Sequence, residues 1–185
     1  MQGLYFVAII PNVKLREEVK SLKEIMRDQF SAKHALKSPA HITLIPPFKR
    51  DTDLHEVFII DFLKRFAVRQ NPISLSLNGF KCFQPRVIFI DFENKDLLRE
   101  LYFDLKEALL HEMLFNQDEL SSRFHPHMTI ATRDLTKETF QMAWRAFKTR
   151  EFREQFEANS IFLLKHNGKF WDIFREFQFE NQVVI

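Results

Sequence analysis

Glycine is nearly missing from this chain. Three residues, Gly3, Gly79 and Gly168, are scattered over 185 positions. Neither the glycine-rich loop that cradles nucleoside triphosphates nor the dinucleotide-binding fingerprint can therefore be written anywhere. Chemistry is expected to run without bound ATP, and no other cofactor is implied. Cysteine is as scarce. Cys82 stands alone, which rules out a disulfide framework within the chain and fits a reducing, cytoplasmic setting. Long apolar runs are lacking too. Stretches such as Val57-Phe58-Ile59-Ile60 fall far short of the roughly 20 residues that cross a bilayer, and Met1 to Pro11 lacks the basic start and small-residue cleavage site of a signal peptide. An excess of one charge is also absent. A formal charge of +2 is too small for a protein that coats long nucleic acid by phosphate neutralisation alone, although a nucleotide or an RNA end stays within reach.

What the chain does have is apolar and aromatic. Hydrophobic residues make up 45% and charged residues 28%, with no long like-charge block, so a soluble globular protein is expected rather than a disordered one. The 22 phenylalanines point to an aromatic-rich core. The length suits one compact unit over 1–185, expected to act as a monomer.

Local patterning orders the chain. Leu4 to Ile10 is an apolar run closed by Pro11, as a buried strand is. Asn12 opens a helix whose apolar positions Leu15, Val19, Leu22, Met26 and Phe30 share one face, with Lys and Glu opposite. His41 to Pro47 reads as a strand stopped by Pro46-Pro47, and Asp53 to Arg69 as a helix capped by Asp53. Ile73, Leu75 and Leu77 alternate with polar residues, the period of a half-exposed strand, and Gly79 marks a bulge. After a break at Gln84-Pro85, Val87 to Ile90 supplies the partner strand of a hairpin. The order then repeats: a helix around Asp96 to Met113, a strand from His127 to Thr132, a helix from about Thr136 to Arg153, and a hairpin turning at Asn167-Gly168. The fold class predicted is α+β, a duplicated unit forming two pseudo-symmetric lobes, roughly 1–93 and 94–185. Each lobe is an antiparallel sheet with outer helices, and the two flank a central cleft.

The matching strand of each half carries the same pattern, His41-Ile42-Thr43-Leu44 and His127-Met128-Thr129-Ile130. In a strand, side chains at i and i+2 share a face about 6.5 to 7 Å apart. Each strand therefore offers an imidazole beside a hydroxyl while Ile42, Leu44, Met128 and Ile130 face the core. Two such strands related by a pseudo-twofold surround a small anion. Phosphodiester chemistry needs a base for the attacking hydroxyl, an acid for the leaving oxygen and donors for the non-bridging oxygens, and two histidines with two threonines supply them. Arg133 lies six residues after His127, on the same face if the strand persists, where it adds a fixed charge.

On these motifs, on His125-Pro126-His127 followed by Arg133, and on the strand Leu4 to Ile10, the chain resembles the 2H phosphoesterase superfamily, in particular its 2′-5′ RNA ligase-like cyclic phosphodiesterases. The resemblance covers nearly the whole chain. It implies that His41 and His127 are general base and acid, that Thr43 and Thr129 hold the phosphate, and that Arg133 and Phe48 fall near positions contacting phosphate and base. The double proline after Ile45 departs from the usual continuation. The implied reaction is metal-independent opening of a 2′,3′-cyclic phosphate or cleavage of a 2′-5′ linkage in a ribonucleotide or RNA end, reversible as ATP-free 2′-5′ ligation.

Other readings compete. A His-x-Thr pair is often a satisfied structural pair. The same clamp can serve an RNA- or nucleotide-binding module without turnover. His125 and His127 have a spacing that binds zinc on one strand face, yet no His-Glu-x-x-His motif completes such a site. Arg133 can be an exposed strand-end charge, and Phe48 a core residue. His34, His55, His111 and His166 have no paired partner in sequence and read as surface or structural. Arg145, Lys148, Arg150 and Arg153 read as the solvated face of a helix.

Overall fold

A computed structural model describes residues 2–180; residue 1 and residues 181–185 lie outside the described residues. Eight strands and four α-helices follow one another among them: β1 (Gln2–Ile9), α1 (Val13–Phe30), β2 (Ile42–Asp51), α2 (His55–Ala67), β3 (Ile73–Phe83), β4 (Val87–Phe92), α3 (Asp96–His111), β5 (Met128–Ala131), α4 (Lys137–Phe147), β6 (Arg153–Ala158), β7 (Ser160–His166) and β8 (Trp171–Gln178), with a 3-10 turn at His34–Lys37. The architecture is α+β. Two four-stranded sheets run in the orders β2-β1-β7-β8 and β5-β4-β3-β6, and every pairing is antiparallel.

The two orders match strand for strand, but the sheets do not follow the sequence halves 1–93 and 94–185. The first half sends β3 and β4 into the second sheet, and the second half returns β7 and β8 to the first. Each sheet is thus completed by the other half of the chain, and one hydrophobic cluster containing Val7, Leu63, Leu75, Ile90, Leu105 and Ile130 runs through both. Helix α2 packs on β2, β7 and β8, whereas α1 packs on β5 and α4.

The motif strands β2 and β5 end their sheets. Their apolar residues Ile42, Leu44, Met128 and Ile130 are 0–1% exposed, while Thr43 and Thr129 on the alternate face are half-buried. Strand β2 does not stop at Pro46-Pro47 but continues to Asp51. The prolines fall where the register against β1 slips between Val7↔Ile45 and Tyr5↔Phe48. A bulge on an edge strand is a place where missing N–H donors cost little.

Three other boundaries differ from expectation. Helix α2 begins at His55 with Leu54, not Asp53, at the cap position and no side-chain cap; Asp53 accepts from the Thr52 hydroxyl at 3.4 Å. Helix α4 is closed at its start by a capping box between Thr136 and Thr139 and stops at Phe147. Arg150 and Arg153 therefore leave the helix, and Arg153 opens β6, which pairs with β3 from Ile73↔Ala158 to Asn78↔Arg153. Sheet pairing has overridden local helical preference there. In the last hairpin only Gly168 takes positive φ, +98°. The loop closes over four residues, Asn167 N–H donating to Phe170 C=O at 2.9 Å while its side chain accepts from Lys169 and Phe170 N–H. Gly79, at φ +65°, sits at the expected bulge.

Helix α1 begins where Asn12 Oδ1 accepts the Leu15 N–H at 3.0 Å. Asn12→Ala removes that cap and is expected to lower stability by about 1 kcal/mol, measured by urea denaturation; an unchanged midpoint would show that the cap is redundant.

Candidate active site

His41 and His127 are held in the same way. His41 Nδ1 lies 2.8 Å from the Pro39 carbonyl, and His127 Nδ1 lies 2.5 Å from the His125 carbonyl. A carbonyl only accepts, so in each ring Nδ1 carries the hydrogen and Nε2 is the atom left for a substrate. Each ring also rests on an aromatic side chain from the neighbouring strand, Phe6 of β1 at 4.9 Å from His41 and Phe89 of β4 at 5.0 Å from His127. Phe83 adds an edge contact to His127 at 5.2 Å.

The two motifs open onto one cleft. A cavity of about 190 Å³ is lined by His41, Thr43, Thr129 and Arg133, with Phe6 and Trp171 among its walls. A second, of about 280 Å³, is lined by Thr43, His125, His127 and Phe83. Thr43 lines both, so the cavities meet at its side chain.

The anchor of His41 is itself anchored. Lys23, 3% exposed, donates through Nζ to the carbonyls of Ser38 at 3.0 Å and Pro39 at 3.2 Å. Burial lowers its pKa to about 8, which leaves it mostly charged at neutral pH. Desolvation lowers the His41 pKa to about 4, with the charge of Lys23 and the nearness of His127 acting in the same direction. His127 is also shifted down, chiefly by burial, and further by His125 and Lys95; its bond to the His125 carbonyl and the carboxylate of Asp91 pull the other way. Asp91, 4% exposed, is paired with Lys81 at 2.7 Å and with Lys95.

Of the residues singled out from sequence, His41, Thr43, His127 and Thr129 come together. Arg133 joins them by another route than expected. β5 ends at Ala131, and Arg133 enters the cavity wall from a turn, at φ +69°. The next residue fixes that turn. Asp134 accepts the N–H groups of Lys33 and His34 at 2.9 and 2.8 Å, which ties the segment after β5 to the 3-10 turn before β2. Phe48 does not reach the cleft. It is 8% exposed, stacked on Tyr5 at 5.9 Å and edge-on to Phe115 at 4.8 Å, because the bulge at the prolines returns the strand to the core face. A base-contacting role is corrected to a core role. His34, read as surface or structural, lines the same cavity as His41. Among the described residues, no three His, Cys, Asp or Glu side chains are gathered as metal ligands would be, and no helix is long and apolar enough to cross a membrane.

Sequence reasoning passed over Lys23, Phe6, Phe89 and Trp171. Lys23 had a legible signal: it stands four residues after Val19 and three before Met26, on the edge of the apolar stripe of α1, where a solvated lysine does not belong.

The exchanged two-sheet fold, with a His-x-Thr motif on an edge strand of each sheet, is that of the 2H phosphoesterases. The family model of the 2′-5′ RNA ligase superfamily matches residues 11–170, and the chain belongs to that family and is an enzyme of the phosphoesterase kind. It is 32% identical over 132 residues to the RNA 2′,3′-cyclic phosphodiesterase of Thermotoga maritima, covering 68% of this chain and 67% of that protein. Solved structures share the fold at lower identity. E. coli LigT complexed with 3′-AMP superposes with a TM-score of 0.70 at 16% identity, covering 97% of this chain and 99% of LigT. TT0787 of Thermus thermophilus gives 0.67 at 19% identity, covering 95% and 97%.

Lys23→Met is expected to cost on the order of 1 to 3 kcal/mol, because the Ser38 and Pro39 carbonyls lose their donor. It should also raise the His41 pKa, since removing a nearby positive charge favours the imidazolium. An NMR titration of the His41 ring checks this; a titration that does not move would separate Lys23 from His41.

Proposed function

We propose that this enzyme opens 2′,3′-cyclic phosphates at ribonucleotide ends to 2′-phosphates without a metal, His41 acting as base and His127 as acid. The observation that carries the reading is the matched pair of imidazoles, each fixed through Nδ1 to the carbonyl two residues before it and each beside a threonine on one cleft. Water attacks phosphorus as His41 Nε2 takes its proton. The P–O3′ bond breaks as His127 Nε2 gives a proton to O3′. Thr43 and Thr129 donate to the non-bridging oxygens, and Arg133 balances their growing charge. A 5′-hydroxyl attacking in place of water gives 2′-5′ ligation from the same groups. The name of the Thermotoga relative supports the substrate.

The division of roles follows the charges. His41, beside the buried Lys23, is the ring held neutral and ready to accept a proton. At His127 the Asp91 carboxylate offsets part of the lowering effect of His125 and Lys95, an offset that His41 lacks among the described residues.

Replacing either His41 or His127 by Gln keeps shape and some hydrogen bonding but moves no proton, so each should lower turnover of a 2′,3′-cyclic nucleotide by roughly 10² to 10⁴. Thr43→Val and Thr129→Val each remove one donor worth on the order of 2 to 4 kcal/mol in the transition state. His125→Gln should do much less, since exposed His125 contributes its backbone carbonyl, not its ring, to the anchor. A large loss at His125 with little at His127 would reassign the acid. Binding of the cyclic nucleotide with no turnover by the wild type would make the protein a capture module instead.

The pH profile carries a separate expectation. kcat/KM reports the free enzyme, in which both imidazoles titrate below their ordinary value of 6.5. His41 must be neutral, which sets an acid limb near pH 4. His127 must be charged, so the alkaline limb falls below 6.5. A profile still rising above about pH 7 would overturn this assignment.

A further inference from the structure

The cavity at His41 holds more positive charge than a cyclic phosphate needs. Lys37 and Arg133 line it together with His34, and no carboxylate does. Neither Lys37 nor Arg133 makes an ion pair among the described residues. We infer that His34 is a third imidazole of the site, which binds the oxygen that water adds at phosphorus, and that with Arg133 and Lys37 it favours the phosphomonoester product over the cyclic substrate. The proposal rests on the cyclic phosphodiesterase reading and deepens it.

Local structure brings these groups together. His34 and Lys37 stand three residues apart on the 3-10 turn before β2, the spacing at which side chains of such a turn eclipse one another. Asp134 Oδ2 accepts the backbone N–H groups of Lys33 and His34 at 2.9 and 2.8 Å, which ties that turn to the residue after Arg133. Among the described residues the His34 ring makes no hydrogen bond and no ion pair. Histidines in structural or surface roles here do have partners: His55 Nδ1 lies 3.6 Å from the Asp51 carboxylate, and His166 Nδ1 accepts the Gly168 N–H at 3.2 Å. Half-buried His34, with both ring nitrogens unused and a cavity before it, is placed to meet a ligand.

The proposed reaction gives that ligand a direction. His41 lines this cavity and His127 the other, with Thr43 in both. Water entering on the His41 side and O3′ leaving on the His127 side put the new P–O bond in the cavity that His34 lines. One proton of the water passes to His41 Nε2 while O3′ takes one from His127 Nε2. The other stays on the new oxygen until the monoester ionises, with a second pKa of about 6. The cyclic substrate carries one negative charge, whereas the product carries roughly 1.5 to 2 at neutral pH. Two fixed cations and a titratable third match the product better.

The charges around the ring set the pH at which it acts. Burial and the charges of Arg133 and Lys37 hold His34 below 6.5, with Asp134 pulling the other way. Of the elements packed on the turn, β5 leads into Arg133 and Asp134, and α1 brings Lys23, which is engaged by the Ser38 and Pro39 carbonyls. A dianion beside the ring favours the imidazolium, so His34 takes up a proton as product binds. Its contribution is full below its pKa in the free enzyme and is lost as pH rises through its pKa in the complex.

The test follows turnover of adenosine 2′,3′-cyclic phosphate and its inhibition by adenosine 2′-monophosphate in the wild type and in His34→Gln, and titrates the wild-type His34 ring by NMR with and without the monophosphate. At about pH 6 the variant should raise Ki for the monophosphate roughly ten- to a hundredfold, the worth of one hydrogen bond between charged groups, and KM for the cyclic substrate by less than about threefold. The gap in Ki should shrink by about pH 8, where the ring is neutral. In the wild type the monophosphate should raise the His34 pKa by about one unit or more. An equal rise in KM and Ki, or a His34 titration that the monophosphate leaves in place, overturns the proposal. The titration needs no variant, so a folding defect in His34→Gln does not shield it. A wild type that leaves the cyclic phosphate unopened sinks the phosphodiesterase reading, and the titration still decides whether His34 binds a phosphomonoester.

Discussion

The proposed catalytic arrangement depends on one repeated hydrogen bond, from histidine Nδ1 to the carbonyl two residues earlier in the chain. In both motifs the acceptor belongs to the segment that leads into the strand, Pro39 before β2 and His125 before β5. An imidazole anchored this way is fixed in tautomer and in ring direction, and both matter more for proton transfer than nearness alone. The bond also explains why histidine stands just before the strand and threonine one step inside it. The ring must turn back to its own approach segment, while the hydroxyl must project squarely from the pleat.

Exchange of strands between the halves makes this geometry stiff. A cleft between two separately folded lobes would open and close with their relative motion. Here β4 of the first half lies beside β5, and β7 of the second lies beside β1, so the two walls of the cleft share one continuous core. Asp134 adds a polar stitch across it, accepting from Lys33 and His34. Helix α1 contributes twice: its apolar face packs on β5, and its Lys23 reaches under the other motif strand to the Ser38 and Pro39 carbonyls.

The sequence made the elements and the paired motifs legible because each is written locally. Alternation around Thr43 and Thr129, the stripe of α1 and the repeated order of helices and strands are short-range patterns. What it did not make legible depends on partners far away in the chain. That β7 completes the sheet of β1 is a matter of tertiary pairing, and β6 was hidden because Phe147 to Arg153 continues a helical pattern that β3 overrides. Phe48 illustrates the same limit. Its nearness to a family position that contacts the base suggested such a role here, but the bulge against β1 turned it inward onto Tyr5. Arg133 reached the cleft although the strand expected to carry it ended early, because Asp134 fixes the turn from the opposite side.

Symmetry of the fold leaves a chemical problem that the charges resolve. Two imidazoles with the same anchor and similar surroundings have no reason to take different roles, yet the proposed reaction needs one neutral and one charged ring. Burial disfavours the charged form of both. The difference lies one residue further out: a buried ammonium, Lys23, stands behind the His41 anchor, and a buried carboxylate, Asp91, stands near His127. Each charge is itself held. Lys23 donates to two carbonyls, and Asp91 is held ionised by Lys81 and Lys95. The pairing at Asp91 also limits its pull on His127, which therefore stays below its ordinary pKa in the free enzyme. In the proposed mechanism the remaining bias comes from the substrate. A phosphate monoanion held by Thr43 and Thr129 stabilises an imidazolium beside it, and His127, where the Asp91 carboxylate offsets part of the effect of Lys95, is the ring freer to take the proton. On the proposed mechanism the duplicated fold supplies two like imidazoles, and the charges outside the motifs bias which one gives a proton and which one takes it.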